Sequence, residues 1–205
     1  MTRELLSTGD DGIARCGWVS DDSEYQRYHD EEWGSPLHGD DALFETIALE
    51  GFQAGLSWIT ILRRRPAFRR AFDGFAIRRV SAFDDAKVDE LASDSSIIRN
   101  RQKIVATVKN ARTILDLVSA NPGELDRLIW SHAPSSHQRP RTVEEVLTVT
   151  DRSRALSTRL RSIGLGFVGP TTMHALMQAA GLINDHAQGC VRGDQLEKAT
   201  ERLST

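Results

Sequence analysis

The chain of 205 residues holds two cysteines, and each has a histidine not far from it. Cys16 is followed by His29 near the N-terminus, and His186 and Cys190 fall in the stretch NDHAQGC near the C-terminus. His-x3-Cys puts two donors about one helical turn apart, a common half of a zinc site, whereas Cys-x12-His is a looser partner. The same residues fit two free thiols, or one disulfide beside surface histidines. Charge balance favours a metal. Two thiolates and two neutral imidazoles around Zn²⁺ sum to zero, so such a site can be buried without a stranded charge. Four protein donors leave no position for water, so one structural zinc is expected, fastening the two ends of the chain.

A second group of residues lies in ALEGFQAGLSWITIL, positions 48–62, where Glu50 interrupts an apolar run. The pattern predicts one helix from a cap at Asp40 or Asp41 through the arginines at 63–65. On that helix Glu50, Ala54 and Trp58 fall at i, i+4 and i+8 and share a face. Such a face carries a carboxylate, a gap and an indole on which a nucleobase can stack. A lone buried carboxylate is costly, so it neutralises or finds donors. Read without context, a mid-helix glutamate is more often exposed or paired with an arginine. Trp18, Tyr25, Tyr28 and Trp33 lie within sixteen residues of a chain that is 6% aromatic, and core packing accounts for the two tryptophans among them.

The elements that must hold these residues read as helical. Hydrophobic residues make up 40% and charged residues 27%, enough for a packed core. Helical periodicity runs through VDELASDSSI, RNRQKIVATVKNARTILDLVSA and GELDRLIW, and no stretch alternates as a strand does. In RSIGLGFVGPTTMHALMQAAG, a helix ends at Gly164, a link carries Gly166 and Gly169, and Pro170 sits in the first turn of the next helix. This helix-hairpin-helix pattern lets backbone approach a phosphate and points N–H groups at it, although an ordinary αα-corner has the same outline. The expected fold is one all-α helical bundle over residues 14–191, with the hairpin near 153–180 and flexible tails at 1–13 and 192–205.

Net charge is −3, yet Arg63 to Arg79 contains seven arginines against one aspartate. A dipolar surface can meet phosphate while the total charge is negative, although each cluster taken alone is more often a solvated helix face. No run is long enough to span a membrane and the N-terminus lacks a signal-peptide core, so a cytoplasmic protein, and a monomer, are expected.

Together, RCGWVSDDSEYQRYHDEEWG, LEGFQAGLSWITIL, SIIRNRQKIVATVKNAR and GFVGPTTMHALMQAAGLINDHAQGC resemble the 3-methyladenine DNA glycosylase I family over residues 15–190. The resemblance implies a helix-hairpin-helix DNA glycosylase with a structural zinc held by Cys16, His29, His186 and Cys190. It implies Glu50 as the catalytic carboxylate. Tyr28 and Trp58 are then the lining of a damaged-base pocket, with Tyr25, Trp18 and Trp33 shaping it. Leu56 matches the residue that fills the gap left by a flipped nucleotide, and Gly164, Gly166, Val168 and Gly169 belong to the DNA-binding hairpin. The implied partner is double-stranded DNA with alkylated bases. No lysine stands out as a Schiff-base nucleophile, so base release without strand cleavage is expected, and Asp185 is given no role. The chain departs from the family pattern at Gly166, where a basic residue is frequent, and at His174, His132 and Phe52. Two other readings are a zinc-held DNA-binding module without activity and a zinc hydrolase with an open metal position.

Overall fold

The computed structural model describes residues 4–203. In chain order it has strands β1 (Leu6–Thr8) and β2 (Ala14–Cys16), helix α1 (Ser23–Arg27) and a π-helical turn over Tyr28–Glu32. Helices α2 (Asp40–Gln53), α3 (Trp58–Leu62), α4 (Arg65–Ala71), α5 (Ile77–Ser81) and α6 (Asp85–Ser93) follow. They lead to α7 (Arg101–Ala120), α8 (Glu124–Trp130), α9 (Asp151–Ser162), α10 (Pro170–Ala179) and α11 (Val191–Leu203). The fold is mostly helical, as expected. The antiparallel pair β1–β2, with Leu6 opposite Cys16, was not expected, because three-residue strands are too short to leave an alternation signal. No described helix is long and apolar enough to cross a membrane.

Contacts resolve two compact units interleaved along the chain. The first comprises the chain up to Pro36, Ala133–Thr148 and the chain from Met177; the second comprises Leu37–His132 and Val149–Leu176. The stretches expected as tails carry β1 and α11. In the first unit α11 is tied down by Arg139, whose Nη1 donates to Asp194 at 2.6 Å and Glu197 at 3.0 Å.

The second unit is built on phenylalanines. Phe52 meets Phe68 at 4.7 Å between ring centres, and Phe72 stacks on Phe75 at 5.3 Å and 8°. All four are fully buried. The Phe52 departure is thus a core residue. Helix α7 starts from Asn100, whose side chain accepts from the Lys103 N–H, and buries Ile104, Thr107, Val108, Ala111 and Ile114 at three- and four-residue spacing.

The long helix expected over 40–65 is broken. Neither Asp40 nor Asp41 caps it. Asp40 instead accepts from the N–H groups of Gly123 and Asp126 at the start of α8, and Asp41 accepts from the Ile77 N–H. At the other end α2 stops at Gln53. Ala54 (φ −50, ψ 114) and Gly55 (φ 87) make a type II turn closed by the Leu56 N–H donating to the Gln53 carbonyl at 2.7 Å. Only glycine takes that φ without strain. Lys103 reaches across from α7, and its Nζ donates to the carbonyls of Phe52 at 2.9 Å and Ala54 at 2.7 Å. A buried ammonium thus takes carbonyls that would otherwise lack partners at a helix end, where the backbone dipole favours a cation. The apolar pattern of 48–62 continues through the break, so it could not reveal it.

Lys103→Met removes these donors while keeping the aliphatic stem. It should lower unfolding stability by about 1–3 kcal/mol, the cost of stranding buried acceptors, as read by urea denaturation.

Candidate functional site

In the first unit, Cys16, His29, His186 and Cys190 converge. All four are buried and their donor atoms lie within 4.8 Å of one another. Cys16 ends β2, and His29 sits in the π-helical turn, which closes with the Trp33 N–H on the Tyr28 carbonyl at 2.9 Å. His186 and Cys190 sit at either end of the loop that enters α11.

The spacing of the donors tests whether a metal fits. His186 Nδ1 lies 3.2 Å from His29 Nε2. The nitrogen–sulfur separations are 3.6 Å (Cys16 to His186), 3.5 Å (Cys190 to His29) and 3.4 Å (Cys190 to His186). A tetrahedron built on ordinary Zn–N and Zn–S bonds has edges of about 3.3 Å between nitrogens and about 3.6 Å between nitrogen and sulfur.

The imidazoles are also set for coordination. His29 Nδ1 lies 2.7 Å from the Asp30 carboxylate and His186 Nε2 lies 3.0 Å from the Trp33 carbonyl. Each ring therefore gives its N–H outward and turns a lone pair inward. Asp30 is held in turn by Arg15, whose Nε and Nη2 donate to it at 3.0 and 2.7 Å. Arg139 fixes the other pair of ligands, donating to the carbonyls of His186, Ala187 and Cys190.

The two sulfurs compete for one proton. The Cys190 sulfur and then burial push the Cys16 thiol far up, while the Cys16 thiol holds Cys190 far below the usual thiol range. A divalent cation is what allows both to be thiolates.

Arg15, Asp30 and Arg139, which hold the ligands, carry no signal of that role in the sequence. Arg139 points inward and is 7% exposed. Its signal is tertiary, since its partners lie over forty positions away in the chain.

The neighbouring aromatics pack onto this cluster. Trp18 meets Trp33 at 5.0 Å, Tyr25 at 5.1 Å and His29 at 5.3 Å, and Trp33 meets His186 at 4.5 Å. Trp33 and Tyr28 are buried, whereas Trp18 is 36% exposed. Asp185 accepts from Gln178 Nε2 at 2.6 Å and meets His137 Nε2 at 2.8 Å.

In the second unit, Glu50 occupies the last turns of α2 and is 3% exposed. Burial alone pushes its carboxyl up to about 8. No described residue forms an ion pair or hydrogen bond with it, so nothing offsets the loss of water. Trp58 does not stand above it on the same helix, as expected from an unbroken rod. It opens α3, beyond the turn that interrupts α2. Leu56, the last residue of that turn, is 40% exposed.

The hairpin between α9 and α10 is pinned from inside the same unit. Thr150 and Ser153 form a capping box at the start of α9. Ser157 Oγ donates to the Val168 carbonyl at 2.6 Å. Asn110 of α7 brackets Gly166, accepting from its N–H at 2.8 Å and donating to its carbonyl at 3.0 Å. Gly164, with φ 101, gives its N–H to the Arg161 carbonyl. The N–H groups of Gly164 and Gly166 are thus already engaged. Among the described residues, those of Val168 and Gly169 have no intramolecular acceptor.

A family model for methyladenine glycosylase matches residues 18–193. The chain is 45% identical over 181 residues to DNA-3-methyladenine glycosylase 1 of Escherichia coli (strain K12), covering 87% of this chain and 96% of that protein. It resembles a crystal structure of 3-methyladenine DNA glycosylase I with a TM-score of 0.82 and 41% identity, over 86% of this chain and 98% of the other. A variant of 3-methyladenine DNA glycosylase I in complex with 3-methyladenine matches with a TM-score of 0.80 at 32% identity, over 86% and 95%.

Because folding raises the Glu50 pKa above its ordinary 4.5 to about 8, the folded state holds this proton more tightly than the unfolded chain. The associated stability is fully present below pH 4.5 and is lost as pH rises through 8. Glu50→Gln should flatten that loss. Measured by urea unfolding at pH 5, 7 and 9, the variant should gain on wild type as pH rises, by on the order of a few kcal/mol at pH 9.

Proposed function

The chain belongs to the methyladenine glycosylase family, and we propose that it hydrolyses the N-glycosidic bond of 3-methyladenine in alkylated double-stranded DNA, releasing the base without cutting the strand. The observation that carries this reading is the environment of Glu50. It is a buried carboxyl to which no described residue offers a hydrogen bond or ion pair, and burial keeps it protonated at neutral pH. Methylation at N3 gives the purine a positive charge, and its exocyclic amine offers a hydrogen-bond donor. That ligand supplies what Glu50 lacks, so the carboxyl ionises as the base arrives and a neutral adenine gains far less. Selection is by what the protein leaves unsatisfied.

The charged purine is already a good leaving group. The electron pair of the C1′–N9 bond departs onto the cationic ring, water adds to C1′ and gives up a proton, and the base leaves neutral. The remaining demands are extrusion of the nucleotide and stabilisation of cationic charge on the sugar. Trp58 offers a stacking face, worth ~1–3 kcal/mol per base in comparable sites. Leu56, exposed on its tight turn, suits an apolar wedge for the vacated stack. Val168 and Gly169 offer N–H groups to a phosphate. The assignment of Tyr28, Tyr25, Trp18 and Trp33 to base recognition rests on the sequence resemblance.

We infer one zinc ion for the Cys16, His29, His186 and Cys190 set, supported by the donor spacing and the outward hydrogen bonds of both imidazoles. Bound there, the metal supplies structural cross-linking only, because four protein donors close its coordination. The chain's own part is to hold β2, the π-helical turn and the start of α11 to one point.

Two measurements test these assignments. In single-turnover base release from methylated duplex, Glu50→Gln should be slower than wild type by roughly 10- to 100-fold. Equal rates would remove Glu50 from the reaction, and no release by wild type would leave a DNA-binding module without activity. For the metal, His29→Ala and Cys190→Ser should each lose zinc by elemental analysis and melt well below wild type. A variant that loses activity but keeps its melting temperature would instead indicate a catalytic metal.

A further inference from the structure

We propose that Phe167 is a DNA-contact residue, an aromatic finger at the hairpin apex whose ring packs against a base or sugar of the duplex beside the lesion. This rests on the reading that the hairpin faces DNA. Four observations lead to it. Phe167 has φ 58, in the left-handed region that bulky L-residues avoid. Glycine would sit there without strain, in a link that already contains three.

The conformation is enforced on both sides. Gly166 is bracketed by Asn110, and the Val168 carbonyl is held by Ser157. A residue kept in a sparsely populated conformation by such fixed neighbours is a candidate for function.

Core packing does not account for the side chain either. Phe75 has a similar φ of 56, but it is fully buried and stacks on Phe72, so burial offsets its strain. Phe167 is 41% exposed and makes no ring contact with a described aromatic residue.

Its position is specific. A Cβ built on Gly51 would lie 3.4 Å from the Phe167 Cβ, so the finger rests on the α2 residue next to Glu50. The same end of α2 carries the turn that exposes Leu56. Two exposed apolar side chains thus flank the end of the helix that holds the recognition carboxyl. Wedges of this kind keep an opened stack from closing.

The test compares wild type with F167G, F167A and F167W. The readouts are melting temperature, affinity for free 3-methyladenine, affinity for duplex containing an abasic-site analogue, and single-turnover base release. F167G relaxes the backbone, so it should melt at or above wild type and bind free base equally. Its duplex affinity and base release should fall about tenfold, and F167W should recover to within about twofold of wild type. The proposal is overturned if F167G binds duplex like wild type. It is equally overturned if F167A loses free base, duplex and thermal stability together, which is the mark of a packing role. If wild type releases no base, the proposed activity fails, while duplex affinity still decides the role of Phe167.

Discussion

A carboxylic acid held out of water with nothing to answer it is the constraint on which the second unit turns. Glu50 lies among the buried residues at the end of α2, and burial alone holds its proton on at neutral pH. Folding around such a group is a standing cost that packing elsewhere must offset, and the phenylalanine cluster of the same unit supplies that packing. A structure selected for stability alone would place a donor or an apolar residue there. Under the proposed function, the cationic base is what answers this acid.

The end of α2 is engineered around the same point by ordinary means. Gly55 supplies a conformation that stops the helix, and Lys103 absorbs the carbonyls left behind. The buried cation is therefore spent on backbone and not on Glu50. Had Lys103 faced the carboxylate, the pair would be self-satisfied. The Gln53–Leu56 turn also leaves Leu56 exposed, a few residues beyond the buried carboxyl.

In the first unit the organising interaction is a shell around four soft and borderline donors. Arg15 and Asp30 orient His29, the Trp33 carbonyl orients His186, and Arg139 gathers the three carbonyls of the other ligand loop. Trp18 and Trp33 pack directly on the rings of His29 and His186. Whatever holds these four donors in place therefore also positions the aromatic side chains packed on them.

The sequence by itself determined what is carried by composition and short-range pattern. The helical character, the α9–α10 hairpin and the residue types of a candidate metal site are written in local spacing, because turns and periodicity act within a few positions. Only the tertiary structure decided where α2 stops, because the apolar run is unbroken there and the terminating cation arrives from α7, fifty positions on. It alone decided that Arg139 faces inward and that the Gly166 N–H is engaged by Asn110. It alone decided that Glu50 is buried without a partner and Phe167 strained without a core. Burial and pairing are properties of what surrounds a side chain in space, and neighbours in sequence do not fix them.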